Sequence, residues 1–337
     1  MNVRFKKVYK FDLVKLVPVE IALKVEQIDF NNYLQQLIED VISDDRSRKY
    51  LFPQDPTAIM ATIDSLVSEK NAAGATLDAA NRLLRIEELV QGKIEHLNRD
   101  VQKGIMIQAL VEHNGQPLFL IIKAEHADFI NENDNKLATG LPIKKKIFKA
   151  FCAYLGEDNK PSHAQVSDYR TVISAYWWKD FLELVEEYTN EQNTERAFDT
   201  LDRKIFSKMK KEHPADHMNL RNATVQYFRA HDEFIMADYL NAIVRPYKPE
   251  DEILDVTGLS KHIEVLPEKG KFDSRFEIAK EKLKKRIITR VKLTPVLDLV
   301  IKEDINLDND VTAFMDHGIP YIKIRSEEGY KHFRKEQ

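Results

Sequence analysis

The chain opens with nearly alternating apolar and polar residues, which is the pattern of a β-strand. Val8, Lys10 and Leu13 follow this period of two, and Pro18 then interrupts it. Because proline cannot donate to a central ladder, the stretch predicts one or two short edge strands. From Asp29 the apolar residues recur at three and four positions, which predicts an amphipathic helix. Its apolar side consists of Tyr33, Leu34, Leu37, Ile38, Val41 and Ile42.

Two further helices are predicted within the first hundred residues. The second helix begins at Thr57, a favourable N-cap residue that follows a loop containing Pro53 and Pro56. The third helix starts near Asp78, and Gly74 is expected to separate it from the second.

At Gly104 the period returns to two, and the dipeptide Asn114-Gly115 lies between two apolar runs. Asn-Gly favours the two-residue turn that joins antiparallel strands, so the segment predicts a β-hairpin. Further strands are expected at 126–130 and 143–154. The second of these also fits a helical period, so a short helix remains open there.

Beyond a polar stretch at about 159–167, the pattern becomes mainly helical. One helix is predicted over 194–211, and another runs from near Asn219 to Ile243 before Pro246. The last ninety residues return to β character, in the apolar runs 287–291, 297–301 and 319–324.

Together these elements predict an α+β protein, with helices packed beside a mainly antiparallel sheet, a helical middle segment and a small C-terminal sheet. A chain of 337 residues is longer than a typical single domain. We expect an N-terminal α+β domain at 1–158, a helical segment at 159–250 and a β-rich region at 251–337.

The charge balance limits the functions that the composition favours. The chain has 51 basic and 55 acidic residues, for a net charge of −4. Proteins that coat nucleic acid usually carry a basic excess, because neutralising phosphates supplies most of the sequence-independent affinity. Any interaction with DNA must therefore depend on local basic patches.

The residues expected of an enzyme or a metal site are sparse. The ten glycines form no phosphate-binding motif, and His213 and His217 are best interpreted as solvated residues where a helix meets a loop. No cofactor, metal ligand or catalytic residue is predicted. A metal-dependent nuclease stays an alternative, because acidic residues and a lysine follow a predicted strand. These residues are Asp298, Lys302, Glu303 and Asp304.

The single cysteine, Cys152, cannot form an internal disulfide, and flanking Phe151 and Tyr154 favour a buried structural thiol over a reactive one. Trp177 and Trp178 are interpreted as core residues rather than as a binding platform, because apolar residues extend their stretch. The first residues lack a signal-peptide core, and no apolar run is long enough to span a membrane. We expect a cytoplasmic location and no membrane contact.

Basic clusters are the remaining signal. Residues 269–292 contain ten basic and three acidic residues, a local net charge of +7. Phe148, Phe272 and Phe276 lie near basic residues and are candidates for stacking on exposed bases. The predicted DNA-binding residues are Lys144, Lys145, Lys146, Lys149, Lys280, Lys282, Lys284, Lys285, Arg286 and Arg290. A third basic cluster consists of Arg203, Lys204, Lys208, Lys210 and Lys211.

In pattern and order, the chain resembles the nucleoid-associated protein family of the NdpA-like kind. Three stretches carry the resemblance. The first comprises the helix at 30–38, the Tyr-Leu-Phe segment at 50–52 and the helix at 59–67. The second is the hairpin at 104–123, which leads to Lys-Lys-Lys-Ile-Phe-Lys-Ala at 144–150. The third is Leu-Asp-Leu-Val-Ile at 297–301, followed by Ile-Pro-Tyr-Ile-Lys-Ile at 319–324. The resemblance implies a bacterial protein of the nucleoid that binds DNA and has no defined catalytic residues.

The leading hypothesis is therefore a sequence-tolerant, non-catalytic DNA-binding protein that contacts the phosphate backbone. An alternative is a protein–protein interaction module of a chromosome-maintenance or defence assembly, in which charged faces steer a partner. A homo-oligomer is compatible with either hypothesis.

Overall fold

A computed structural model describes residues 1–12, 17–94, 104–132, 135–143, 148–170, 172–283, 289–301 and 309–334. The predicted α+β class is confirmed. The chain forms two compact units. The first comprises Met1–Thr189, Ile235–Ala237 and Asp273–Phe276, and the second comprises Asn190–Phe234, Asp238–Phe272 and Glu277–Gln337.

An antiparallel sheet of eight strands is the centre of the first unit. Its strands are β1 (Asn2–Asp12), β2 (Val17–Glu20), β3 (Arg48–Leu51), β4 (Gly104–His113), β5 (Gln116–Glu125), β8 (Phe148–Leu155), β9 (Pro161–Asp168) and β10 (Val185–Glu186). The strand order is β10-β3-β9-β8-β5-β4-β1-β2. A separate hairpin joins β6 (Ala127–Asn131) to β7 (Lys136–Gly140).

Helices cover both faces of this sheet, so the central strands are buried on both sides. α1 (Ile28–Ile42) packs on one face, where Leu34 and Ile38 contact the side of β4 and β5 that bears Ile107 and Leu120. The opposite face holds α2 (Ala58–Val67), α3 (Ala72–Ile94) and a short π-helical segment (Tyr176–Phe181). Because strand residues alternate between faces, one sheet supplies two apolar cores.

The local features that the sequence predicted in this unit are largely confirmed. α1 forms where the apolar spacing placed it, and the Thr57 side chain accepts a hydrogen bond from the Met60 N–H at the start of α2. Asn114 and Gly115 both have positive φ angles, of 52° and 78°, as the tight turn between β4 and β5 requires. Residues 148–155 form a strand, which resolves the helix-or-strand alternative for that part of the predicted segment, and residues 144–147 lie outside the described residues.

Two local predictions are wrong. Gly74 lies inside α3 rather than between helices, because α3 begins at Ala72. β1 is an interior strand between β4 and β2, so of these two strands it is β2, which contains Pro18, that lies at an edge of the sheet. The boundary expected after residue 158 falls between β8 and β9, which are neighbouring strands of the same sheet.

The second unit begins with a long helical run. This run comprises α4 (Asn190–Asp199), a π-helical segment (Thr200–Phe206) and α5 (Ser207–Met209). The later helices are α6 (Pro214–Ala230), α7 (Met236–Tyr239), whose first two residues belong to the first unit, a π-helical segment (Leu240–Val244) and α8 (Val256–Glu264). The single helix predicted from Asn219 to Ile243 is therefore wrong, because α6 ends at Ala230 and the short strand β11 (Glu233–Ile235) precedes α7.

The C-terminal β character is confirmed in the form of small two-stranded sheets. After β12 (Arg275–Glu277), which pairs with β11, the chain forms β13 (Thr289–Thr294), β14 (Leu297–Ile301), β15 (Val311–Asp316), β16 (Ile319–Ile324) and the helix α9 (Glu327–Phe333). β13 pairs with β14, and β15 pairs with β16.

Candidate nucleic-acid interface

Lys149 was predicted to contact DNA, and the structure shows that this prediction is wrong. The side chain is completely buried in the first unit, where β8 places it between two acidic residues of neighbouring strands. Its Nζ lies 3.0 Å from Glu125 Oε1 and 3.7 Å from Asp168 Oδ1. A cation held in this way has no surface to offer to a phosphate.

The two carboxylates are themselves fixed by further hydrogen bonds. The Tyr169 hydroxyl donates to Glu125 Oε2 at 2.8 Å, and the backbone N–H and hydroxyl of Ser174 donate to Asp168 Oδ2 at 3.0 and 2.7 Å. The Tyr169 ring also lies 4.8 Å from Lys149 Nζ. This buried charge cluster orders three adjacent strands, because each pairing needs its own strand register.

A second buried ion pair lies next to it. Lys123 on β5 stands opposite Lys149 on β8, and its Nζ lies 2.7 and 2.6 Å from the two carboxylate oxygens of Glu87 on α3. Phe11 places its ring 4.6 Å from the same ammonium group. Both lysines therefore bind internal carboxylates, and the Lys123–Glu87 pair attaches α3 to the sheet.

Arg275, a member of the basic segment 269–292, is also buried rather than exposed. Its guanidinium donates to the backbone carbonyl oxygens of Asp168 and Arg170 at 3.2 and 2.7 Å within the first unit. Phe148, Phe272 and Phe276 are buried as well, so the prediction that they stack on exposed bases is wrong.

Other lysines of that segment are exposed in the second unit. Lys269, Lys271, Lys280 and Lys282 all lie at the surface. Lys280 Nζ is 2.6 Å from Asp232 Oδ1, so part of its charge is already balanced. Lys144, Lys145, Lys146, Lys284, Lys285 and Arg286 lie outside the described residues, as does the side chain of Arg290.

A group of five exposed cations lies on the helical run that starts the second unit. The C-terminal end of this run and the turn after it carry the third basic cluster, and all five of these cations are exposed. Arg203 forms an ion pair with Asp199 at 3.6 Å. Within the described parts of the chain, no carboxylate pairs with the other four. These are Lys204, Lys208, Lys210 and Lys211, and together with Arg203 we call this set the helical basic cluster.

Local packing explains why this cluster faces solvent. The same stretch buries the apolar residues Leu201, Ile205, Phe206 and Met209, so the apolar side of the run is covered and the lysines project from the other side. The sequence contained this signal, since Lys204, Lys208 and Lys211 recur at helical spacing. The predicted DNA-binding residues do not include these cations.

The remaining candidates for chemistry are internal. Cys152 is buried, as predicted, and burial raises the pKa of its thiol to about 12. Trp177 is buried in the core, and Trp178 packs against that core, which confirms their assignment as core residues.

The interpretation of His217 as solvated is wrong, because this side chain is buried in α6. Burial and nearby Lys210 lower the pKa of His217. His213 Nδ1 lies 2.8 Å from Asp251 Oδ2.

Of the four residues considered for a nuclease, the structure describes Asp298 alone. Asp298 lies opposite Lys292 in the β13–β14 pair, and Lys302, Glu303 and Asp304 lie outside the described residues. Across the part of the chain that is described, no group of three potential metal ligands occurs.

None of the described helices has both the length and the apolar character needed to cross a membrane.

Comparison with protein-family models gives no match, and comparison with curated proteins gives no significant match.

Proposed function

We propose that this chain is a nucleoid-associated protein that binds the DNA backbone without sequence specificity and acts by binding rather than by catalysis. The supporting observation is the helical basic cluster, in which four of five exposed cations have no carboxylate partner among the described residues. Unpaired surface lysines on one helical segment can each neutralise a phosphate and release a counterion. Lys269, Lys271, Lys280 and Lys282 belong to the same unit and add to its exposed positive charge.

The chain as a whole is slightly acidic, so its overall composition does not favour DNA binding. Affinity must come from a local surface, and the number of cations sets its salt dependence. Four neutralised phosphates give a slope of log affinity against log salt of about −3.6 on duplex DNA. Phosphate contacts position a protein without reading bases, so random and defined duplexes should bind equally well.

A salt-titrated binding assay with a fluorescent duplex tests the proposal. In the variant Lys204→Gln, Lys208→Gln and Lys211→Gln, three of the contacts are removed, so the slope should become shallower by about 2.7 and the affinity should fall. The matched control changes three exposed lysines of the first unit, Lys24, Lys70 and Lys160, to glutamine. Equal binding by both triple variants, or no binding by the unaltered protein in low salt, contradicts the proposal.

The predicted contribution of segment 280–290 needs a separate variant. Changing Lys282, Lys284, Lys285 and Arg286 to glutamate reverses four charges, and weaker binding by this protein would add the segment to the interface. Incubating plasmid DNA with the protein and magnesium or manganese tests the proposal that no catalysis occurs. DNA cleavage that Asp298→Asn abolishes would favour the nuclease alternative instead.

A second candidate function, a protein–protein interaction module, is favoured by the charge around α1. Residues 25–45 contain six acidic and no basic residues. They are Glu26, Asp29, Glu39, Asp40, Asp44 and Asp45. A negative surface repels DNA and attracts a basic partner, mainly by raising the association rate. Affinity purification after nuclease treatment tests this candidate, and a partner whose recovery is lost when Asp29 and Glu39 become lysine would support it.

A further inference from the structure

A groove in the first unit is lined by α1 and by residues that follow β7. It encloses about 380 Å³, which lies within the range of small-ligand sites. α1 contributes six residues at the spacing of one helical face. They are Asp29, Asn32, Tyr33, Gln36, Leu37 and Asp40. Pro142, Ile143 and Phe148 of β8 complete the lining.

The part of the groove between its two acidic residues is mainly apolar. Leu37 and Phe148 are buried, whereas Ile143 is 86% exposed and open to a ligand. No group among the described residues forms a hydrogen bond with the Tyr33 hydroxyl. Burial raises the pKa of Tyr33 to about 12, so this phenol stays neutral near pH 7. This stretch therefore offers apolar surface and one neutral polar group.

Negative charge lies at both ends of the apolar stretch. Asp40 follows Asp29 by eleven residues, which is close to three full helical turns, so both lie on one side of α1 about 16 Å apart along its axis. Asp29 forms no ion pair within the described parts of the chain, and Asp40 accepts a hydrogen bond from Gln36 Nε2 at 3.1 Å. Among the described residues that line the groove, none is basic.

We propose that this groove binds a linear aliphatic polyamine, whose terminal ammonium groups contact Asp29 and Asp40 and whose methylene chain lies on the apolar lining. Charge complementarity favours a cation, because the lining described carries two carboxylates and no positive charge. A metal ion would leave the apolar lining exposed to water, whereas a methylene chain covers it. This site belongs to the first unit and does not depend on the proposed DNA binding.

Isothermal titration calorimetry of the full chain with spermine, in the absence of DNA, tests the proposal. Extended spermine places its terminal nitrogens roughly 15 Å apart, so it spans the distance between the two carboxylates. We expect one spermine to bind per chain. Putrescine, a much shorter diamine, reaches one carboxylate only and should bind about tenfold more weakly.

Variants separate the groove from the general negative charge of α1. Changing Asp29 and Asp40 to asparagine should weaken spermine binding about tenfold, because both terminal contacts lose their charge. The matched control changes Glu26 and Glu39 to glutamine, which removes the same charge from exposed positions outside the lining. Its affinity should stay within about twofold of the unaltered chain. Ile143→Ser removes apolar surface at an exposed position and should weaken binding about threefold.

Several results would overturn the proposal. These are no spermine binding by the unaltered chain, equal weakening in both pairs of acidic variants, and putrescine binding as tight as that of spermine. Asp29→Asn alone replaces the double variant if circular dichroism shows that the latter is unfolded. Lys144, Lys145 and Lys146 follow the groove residue Ile143 in the sequence and lie outside the described residues. Spermine binding that appears only when these three lysines become glutamine would also contradict the proposal, because the chain's own cations would then compete for the groove.

Discussion

The buried ammonium group of Lys149 and the buried carboxylates of Glu125 and Asp168 neutralise one another. Replacing Lys149 with Met would leave Glu125 and Asp168 buried without a cation, and breaking a buried ion pair in this way costs about 3–5 kcal/mol. We expect a lower urea midpoint for Lys149→Met and an unchanged salt slope of DNA binding. Lys160→Met, at an exposed position, is the control and should change stability little. Weaker DNA binding with normal stability would return Lys149 to the interface.

The Cys152 thiol illustrates how burial controls reactivity. Burial raises its pKa from 9.0 to about 12, so the native thiol stays protonated at pH 8, whereas only the thiolate reacts with disulfide reagents. We expect no labelling of native protein by Ellman's reagent at pH 8, and one thiol per chain in guanidinium. The unfolded thiol ionises first as pH rises, so this group's stabilising contribution is complete below pH 9 and is lost between pH 9 and 12. Rapid labelling of the native chain would contradict the buried assignment.

The residues that neighbour a charged side chain in the sequence do not reveal whether that side chain is exposed or buried. The lysines near 149 looked like one exposed cluster, yet Lys149 binds Glu125 and Asp168, which are 24 and 19 residues away in the chain. Long-range pairing of this kind has no local signature. By contrast, the burial of Cys152 and Trp177 could be predicted, because apolar neighbours in the sequence already indicated a core environment.

At the scale of elements, the close approach of β4 and β5 leaves no room for a side chain at Gly104. A Cβ atom at this position would lie 2.1 Å from the Ala124 carbonyl oxygen, so Gly104→Ala must displace backbone. We expect a loss of about 1–3 kcal/mol in the free energy of unfolding, as in overpacked cores. Gly92→Ala is the matched control, because its Cβ meets no atom within 4 Å inside α3.

The control should change stability in the opposite direction. Alanine loses less conformational entropy than glycine in a helix interior, so Gly92→Ala should stabilise the protein by about 0.5–1 kcal/mol. Urea unfolding followed by circular dichroism measures both variants. Equal stability of the two alanine variants would show that the strand ladder absorbs the added methyl group.

Elements with strong periodicity were predictable, and those set by tertiary contacts were not. The apolar spacing located α1, and Asn114-Gly115 located the β4–β5 hairpin, since both signals are local. The break between α6 and α7 was missed because apolar residues continue at helical spacing through Phe234 and Ile235. Tertiary packing overrides helix propensity there.

At the scale of the whole molecule, the division into two units could not be predicted from the order of the segments along the sequence. Ile235–Ala237 and Asp273–Phe276 belong to the first unit although they are distant from it in sequence. Composition shifts locate linkers between consecutive domains, but they carry no information on a late segment that completes an early unit. The predicted three consecutive regions therefore missed this arrangement, while the fold class followed correctly from the types of elements.

This arrangement predicts that the first unit does not reach full stability as the fragment 1–189. Within that unit, Arg48 Nε lies 3.2 Å from Asp273 Oδ2, and the Ser274 hydroxyl donates to the Ser47 carbonyl at 2.6 Å. The fragment lacks Asp273, Ser274 and Arg275. Arg48 then loses a buried carboxylate, although its ion pair with Glu186 at 2.9 Å remains. We expect the fragment to unfold at a clearly lower urea concentration than the same unit in the intact chain.

Tryptophan fluorescence reports on this unit selectively, because both tryptophans of the chain, Trp177 and Trp178, lie in it. Asp273→Asn in the full chain isolates the electrostatic part of the effect and should lower the fluorescence midpoint, since it leaves part of a buried guanidinium charge uncompensated. Asp158→Asn, at an exposed position, should leave the midpoint unchanged. If fragment 1–189 unfolds at the midpoint of the intact chain, the later segments add nothing to the first unit, and the unit ends at Thr189.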